Sequence, residues 1–158
     1  MRYFFLLSTL FLFFACDNDT VQPMKEVGDD AVIWTGAITT FTKAADADPS
    51  AEANQDRITD DVWITRGNNG GQIYNAKDEN SANKTNSPAG TLWAVGSVND
   101  IENLTFEKFR AAVGSPKSVV GKDLVLFLEK EEVYLSVKFT SWNAQKSGGF
   151  AYERSTEN

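Results

Sequence analysis

Residues 123–139 read DLVLFLEKEEVYLSVKF. In the second half, Val133, Leu135, Val137 and Phe139 alternate with Tyr134, Ser136 and Lys138, so apolar groups fall on one face of an extended chain and polar or amphipathic ones on the other. The first half is a short apolar run. Between the halves stand Glu129, Lys130, Glu131 and Glu132, a charged break with no apolar period. Two strands joined by a solvated turn account for all of it, so the segment is a β-hairpin.

The same signals recur in both directions. Towards the N-terminus, TLWAVG (91–96), QIYNA (72–76) and DVWIT (61–65) are short β-rich runs bounded by Gly, Asn, Asp, Ser or Pro. GFAYER (149–154) follows the hairpin, and AVIWTGAITTFTK (31–43) reads as one or two strands bent at Gly36. The alanine-rich, acidic AADADPSAEANQD (44–56) reads as a long exposed loop. One short helix is expected near 105–113: Phe106, Phe109, Arg110 and Val113 recur at helical spacing, Thr105 can cap and Gly114 can stop it. Many short strands separated by Gly-rich turns predict an all-β domain over residues 31–158, a two-layer antiparallel β-sandwich, with a β-barrel as the alternative.

Upstream of that domain the chain is of another kind. Met1, Arg2 and Tyr3 precede an apolar run ending at Phe14, followed by the small Ala15 and the single Cys16. That is the layout of a signal peptide over residues 1–15, too short to cross a bilayer as a permanent helix. Phe13-Phe14-Ala15-Cys16 resembles the lipobox of bacterial lipoproteins, in which the cysteine is lipidated; the alternative is an ordinary signal peptide with a chance cysteine. Two or three acyl chains on Cys16 would make a lasting attachment, since one chain holds only marginally. Residues 16–30 then form a flexible polar tether containing Pro23 and Gly28. The acidic Asp17 and Asp19 just after the cysteine resemble either an inner-membrane retention signal or a surface-export signal. The expected location is the outer membrane, facing outward, with a periplasmic-facing orientation as the alternative.

Charge and composition narrow the function. The chain carries 15 Lys and Arg against 22 Asp and Glu, and loss of Arg2 with the signal leaves 14 against 22, a net charge of −8. Such a surface repels phosphates, so nucleic acid is not an expected partner. Histidine is absent and the one cysteine is assigned to lipid, which leaves no imidazole or free thiol for a triad or a zinc site.

The phrases NQDRITDDVWITRGNNGGQIYNA, SPAGTLWAVG, NLTFEKFRAAVGSP, VVGKDLVLFLEKEEVYLSVKFTSW and GGFAYERST, spread over residues 54–156, together resemble an uncharacterised β-domain of lipid-anchored or secreted surface proteins of Gram-negative bacteria. The resemblance implies a surface location and a β fold. It implies no activity and no catalytic residue. Several members of that group carry a histidine where this chain has Phe127, so no metal role passes to that position.

Two function classes follow: a surface binding module for a glycan or protein ligand, or a structural or accessory envelope lipoprotein with no small ligand. No enzyme is expected, although a carboxylate pair such as Asp61 and Glu153 could in principle cleave a glycosidic bond. No cofactor is expected beyond a structural calcium ion, for which Asp46 and Asp48 are weak candidates beside the simpler reading of a solvated acidic loop. Trp34, Trp63 and Trp93 lie within β-rich runs and are assigned to the core, whereas Trp142 precedes the polar NAQKSGG and is expected at an exposed loop base. The loop TRGNNGGQIYNA (65–76) suits a plain hairpin turn. If it shares one end of the sandwich with Ser147-Gly148-Gly149, then Arg66, Asn68, Asn69, Tyr74 and Trp142 would frame a ligand groove.

Overall fold

The computed structural model describes residues 31–158. The signal peptide over 1–15, Cys16 and the tether over 16–30 lie outside the described residues. The expected hairpin is present, with β7 (Asp123–Leu128) paired antiparallel to β8 (Val133–Trp142) and Leu126 opposite Leu135. Around it the other strands are β1 (Val32–Trp34), β2 (Thr39–Lys43), β3 (Asp56–Arg57), β4 (Trp63–Arg66), β5 (Ile73–Asn75), β6 (Thr91–Val95) and β9 (Phe150–Arg154). They form two sheets that do not close into a barrel. The larger runs β2-β9-β8-β7-β6, with β1 added against the start of β8; the smaller is β3-β4-β5. All pairings are antiparallel except β1 with β8. The architecture is a β-sandwich.

Alternation places the core. Trp93, Leu124, Leu126, Leu128, Val133, Leu135, Val137 and Phe139 leave one face of the large sheet and meet Ile58, Val62, Ile64 and Ile73 from the small one. The opposite face of β7 and β8 is covered as well: Val125, Phe127 and Tyr134 pack with Ile101, Ile33, Leu104 and Phe106. That double burial explains why β7 is apolar at every position after Asp123. Part of the cover is a 3₁₀ segment, Val98–Asn103, whose first turn is capped by the Ser97 side chain accepting from the Asn99 amide.

The helix is shorter than its sequence pattern. It is α1 (Phe109–Val113), it begins after Lys108, and Thr105 does not cap it. Glu107 instead makes a two-way backbone bridge with Trp93 at the edge of the large sheet. The chain therefore crosses that edge, sending Phe106 to the outer cluster while Phe109 and Val113 enter the main core. The apolar spacing belongs to two faces of a sheet edge, with only its second half helical. Gly114 does end the helix, at φ 75°.

The tryptophans divide differently from expectation. Trp93 is fully buried and Trp34 packs half-buried against the main core. Trp63 is not a core residue: its neighbours Val62 and Ile64 point inward, so it lies half-buried on the outer face of the small sheet. Trp142 is not an exposed loop base. A register shift between Phe139 and Ser141 adds one residue to β8. This bulge reverses the alternation beyond it, so Trp142 joins Phe139 on the core side. Its ring centroid stands 5.7 Å from that of Phe139 and 6.2 Å from that of Phe150.

The acidic segment 44–56 is not free either. It folds over the small sheet, where the Thr65 hydroxyl donates to Asn54 O at 2.7 Å and the Gln55 amide donates to Pro49 O at 3.0 Å. It ends in β3, whose Asp56 joins the layers. Asp56 accepts from Arg154 Nε at 2.7 Å, from Arg154 Nη2 at 2.9 Å and from the Tyr152 hydroxyl at 2.7 Å. Arg154 thus pairs across the sandwich with Asp56, and not with its neighbour Glu153. Burial works against the Arg154 charge, but the hydrogen bonds and charge of Asp56 outweigh it and raise its pKa. Burial, then the Asp56 charge, pushes the Tyr152 phenol well above the ordinary tyrosine range.

Candidate functional site

Parity along β4 determines which of the expected ligand residues can face a ligand. Ile64 is in the core, so Arg66 points the same way, inward, at the end of the sandwich. There it is 2% exposed. Its guanidinium lies 4.1 Å from the Trp142 ring centroid, and Nη1 donates to Asn143 O at 3.0 Å and Gly149 O at 2.9 Å. Nε reaches Gly71 O at 3.3 Å. Arg66 and Trp142 therefore plug the end of the sandwich and tie the loop after β4 to the loop after β8. Burial lowers the pKa of Arg66.

The two glycine-bearing loops do share one end. At Gly148, with φ +70°, an added Cβ would stand 2.3 Å from Asn68 Oδ1 and 2.7 Å from Gly67 O, so only glycine permits the approach. Asn68 is held on both sides of its amide: Oδ1 accepts from Lys43 Nζ at 2.8 Å and Nδ2 donates to Ala47 O at 2.8 Å. Lys43 is 1% exposed. Its burial, then the nearby charge of Arg66, lowers its pKa, against an upward pull from Asp46 and Asp48.

Tyr74, opposite Thr65, faces the outer side of the small sheet. It lines two adjoining depressions that share Pro49, Tyr74 and Asn80. The first, about 390 Å³, is bordered by Gly67, Asn68, Asn69 and Ser81. The second, about 370 Å³, is bordered by Arg57, Trp63, Gln55 and Glu79. Together they form a trough between the 44–55 segment and the turn after β5, crossing all three strands of the small sheet. Asn68, Asn69 and Tyr74 are thus brought to one cleft, and Arg66 and Trp142 are not part of it. Burial, then the charges of Asp48 and Glu79, raises the Tyr74 pKa and keeps its hydroxyl protonated. No described residue hydrogen-bonds that hydroxyl.

Sequence reasoning missed the other end of the trough. Trp63 lies under two cations, Arg57 with Cζ 4.2 Å from its ring centroid and Lys77 with Nζ at 4.8 Å. Arg57 also pairs with Glu52 at 2.9 Å. The signal for this was the outward parity of Trp63 set by Val62 and Ile64. Behind the trough Asn75 is fully engaged: Oδ1 accepts from Trp63 N and Lys77 N, and Nδ2 donates to Asp61 O and Ala89 O.

The remaining candidates are dispersed. Asp48 Oδ1 accepts from the Ser50 amide and hydroxyl, and the first of these bonds is the main reason its pKa is lowered. Asp46 is exposed, with its amide bonded to Ser147 O at 2.7 Å. Among the described residues no group of three or more Asp, Glu, His or Cys converges as a metal cage. Asp61 is paired with Lys130. Glu153 lies instead at a cleft of about 550 Å³ on the outer face of the large sheet, among Ile38, Val95, Asp123 and Lys138. No helix among the described residues is long and apolar enough to cross a membrane. Comparison of the chain with protein families, with curated proteins and with solved structures gave no match.

Proposed function

We propose that the chain is a lipid-anchored outer-membrane protein, facing outward, whose β-sandwich binds a glycan in the trough on its small sheet. The observation that carries this reading is the joining of two depressions through Pro49, Tyr74 and Asn80. A phenol, the amides of Asn69 and Asn80 and a half-buried indole stand along one concavity, the mixture of flat apolar faces and bidentate amides that suits sugar rings and their hydroxyls. The trough crosses the strands. An extended peptide pairing with a sheet would run along an edge strand instead. The lipid on Cys16 and the tether over 16–30 would hold this surface away from the membrane.

Titration calorimetry across a panel of oligosaccharides tests the reading, comparing the wild-type domain with the double variant Asn69→Ala, Asn80→Ala. Both residues are exposed, so the variant should fold normally. Saturable binding that the double variant loses supports the trough. Binding that survives it places the sugar away from the trough and overturns the site, and no binding by any sugar favours the accessory lipoprotein without a small ligand.

A further inference from the structure

Resting on that reading, we propose that the trough selects an acidic oligosaccharide and that Arg57, stacked on Trp63, takes the sugar carboxylate. Arg57 is set up before any ligand arrives. Its guanidinium lies against the indole at 4.2 Å, and Nη2 reaches Gln55 Oε1 at 3.3 Å. Gln55 is itself fixed by bonds from its amide to Pro49 O and Ser50 O, so the planar fork is oriented on a supported side chain. What answers the guanidinium is Glu52, whose side chain is 75% exposed. An exposed pair of this kind contributes at most about 1 kcal/mol, so an incoming carboxylate can replace it at small cost. Glu52 occupies the place that the ligand's carboxylate would take.

A second cation stands at the same end of the trough. Lys77 comes within 4.8 Å of the same indole from the turn that follows β5, and no ion pair to it is present among the described residues. Glu79 also lines this depression, with its Oε2 held by the Asn75 and Ala89 amides at 2.8 and 2.9 Å. A bidentate guanidinium–carboxylate contact is the geometry Arg supplies and Lys does not.

The probes are tetragalacturonate and the same tetrasaccharide with its carboxyls reduced to alcohols, titrated into the wild-type domain and into Arg57→Ala, Arg57→Lys and Glu52→Gln. The reduced sugar should bind the wild type about tenfold or more weakly than the acid. Arg57→Ala should lose that preference, Arg57→Lys should recover only part of it, and Glu52→Gln should bind the acid a few-fold more tightly. Equal affinity for both sugars overturns the carboxylate assignment while leaving the trough in place. Acid preference that persists in Arg57→Ala overturns the role of Arg57. A glutamate-rich peptide binding as tightly as the sugar, with the same dependence on Arg57, overturns the commitment to a glycan.

Discussion

Replacing Asp56 by alanine should be the most damaging single change at the interface between the layers. The substitution removes the acceptor of three hydrogen bonds of 2.7, 2.7 and 2.9 Å. It leaves Arg154, 8% exposed, with only Ser155 O at 3.3 Å, and leaves the fully buried Tyr152 hydroxyl without a partner. Breaking a buried ion pair from one side costs about 3–5 kcal/mol because the surviving charge cannot reach water. Unfolding entropy of about 2.1 cal/mol/K per residue, summed over the described domain, converts 4 kcal/mol into a drop in Tm of about 15 °C. Calorimetry of wild type and Asp56→Ala reads it directly. Tyr152→Phe should lose less, about 1.5–3 kcal/mol, since one hydrogen bond to a charged group disappears with its donor. The triple change Asp56→Ala, Tyr152→Phe, Arg154→Met should recover most of the loss, because apolar packing can replace a buried pair. An Asp56→Ala protein melting within about 3 °C of wild type, roughly 1 kcal/mol on the same conversion, would refute the reasoning.

Four further outcomes are expected. Gly148→Ala should cost at least about 2 kcal/mol in urea unfolding, from its left-handed backbone and the contacts its Cβ would make with Asn68 and Gly67; a neutral effect removes the argument for close loop approach. Arg66→Ala should lower stability by about 2–3 kcal/mol through its lost carbonyl bonds and its stacking on Trp142, and should weaken sugar binding by the folded fraction only a few-fold, since Arg66 holds the loop that bears Asn69 without lining the trough. In alkaline absorbance titration Tyr152 should stay protonated past the ordinary tyrosine midpoint until the protein unfolds; its folded pKa lies above the unfolded one, so its contribution is intact below about pH 10 and is lost as pH rises further. Ionisation of Tyr152 at an ordinary midpoint in the folded state would contradict this. In cells Cys16→Ala should abolish lipid incorporation and membrane attachment, and protease added to intact cells should remove the wild-type domain; protection of the wild type would place it on the other side of the membrane.

The hairpin of β7 and β8 was legible because local pattern and tertiary environment agree there: one face of Val133, Leu135, Val137 and Phe139 meets one core. The apolar neighbours of Trp63 and Trp93 were less informative, since flanking residues that point inward make the residue between them point out. Trp63 shows this. Phe106 and Phe109 satisfied helical spacing for an unrelated reason, the crossing of a sheet edge at Glu107. The fold of segment 44–56 left no apolar period to read. It is held by amide and hydroxyl bonds to backbone carbonyls, and by Asp56, whose partners stand 96 and 98 residues away.

The same parity argument explains why only some of the residues expected around the groove come together. Arg66 and Trp142 were chosen because they flank glycine-rich loops, yet position in sequence beside a loop does not say on which side of the sheet a side chain emerges. Ile64 already assigned Arg66 to the inner face, two residues on. For Trp142 the sequence held no comparable signal, because one bulge residue in β8 turns an outward position into an inward one. Their burial serves the trough indirectly. Arg66 fixes Gly71, Asn143 and Gly149, Lys43 fixes Asn68, and the loop that presents Asn69 is thereby anchored at both ends. A loop held in this way loses little conformational freedom when a ligand arrives, so binding energy from a few amide contacts is not consumed in ordering it. The buried cations at the end of the sandwich and the exposed cation over Trp63 therefore stand apart: the first pair holds the loops that shape the trough, and in the proposed reading Arg57 meets the charge of the ligand.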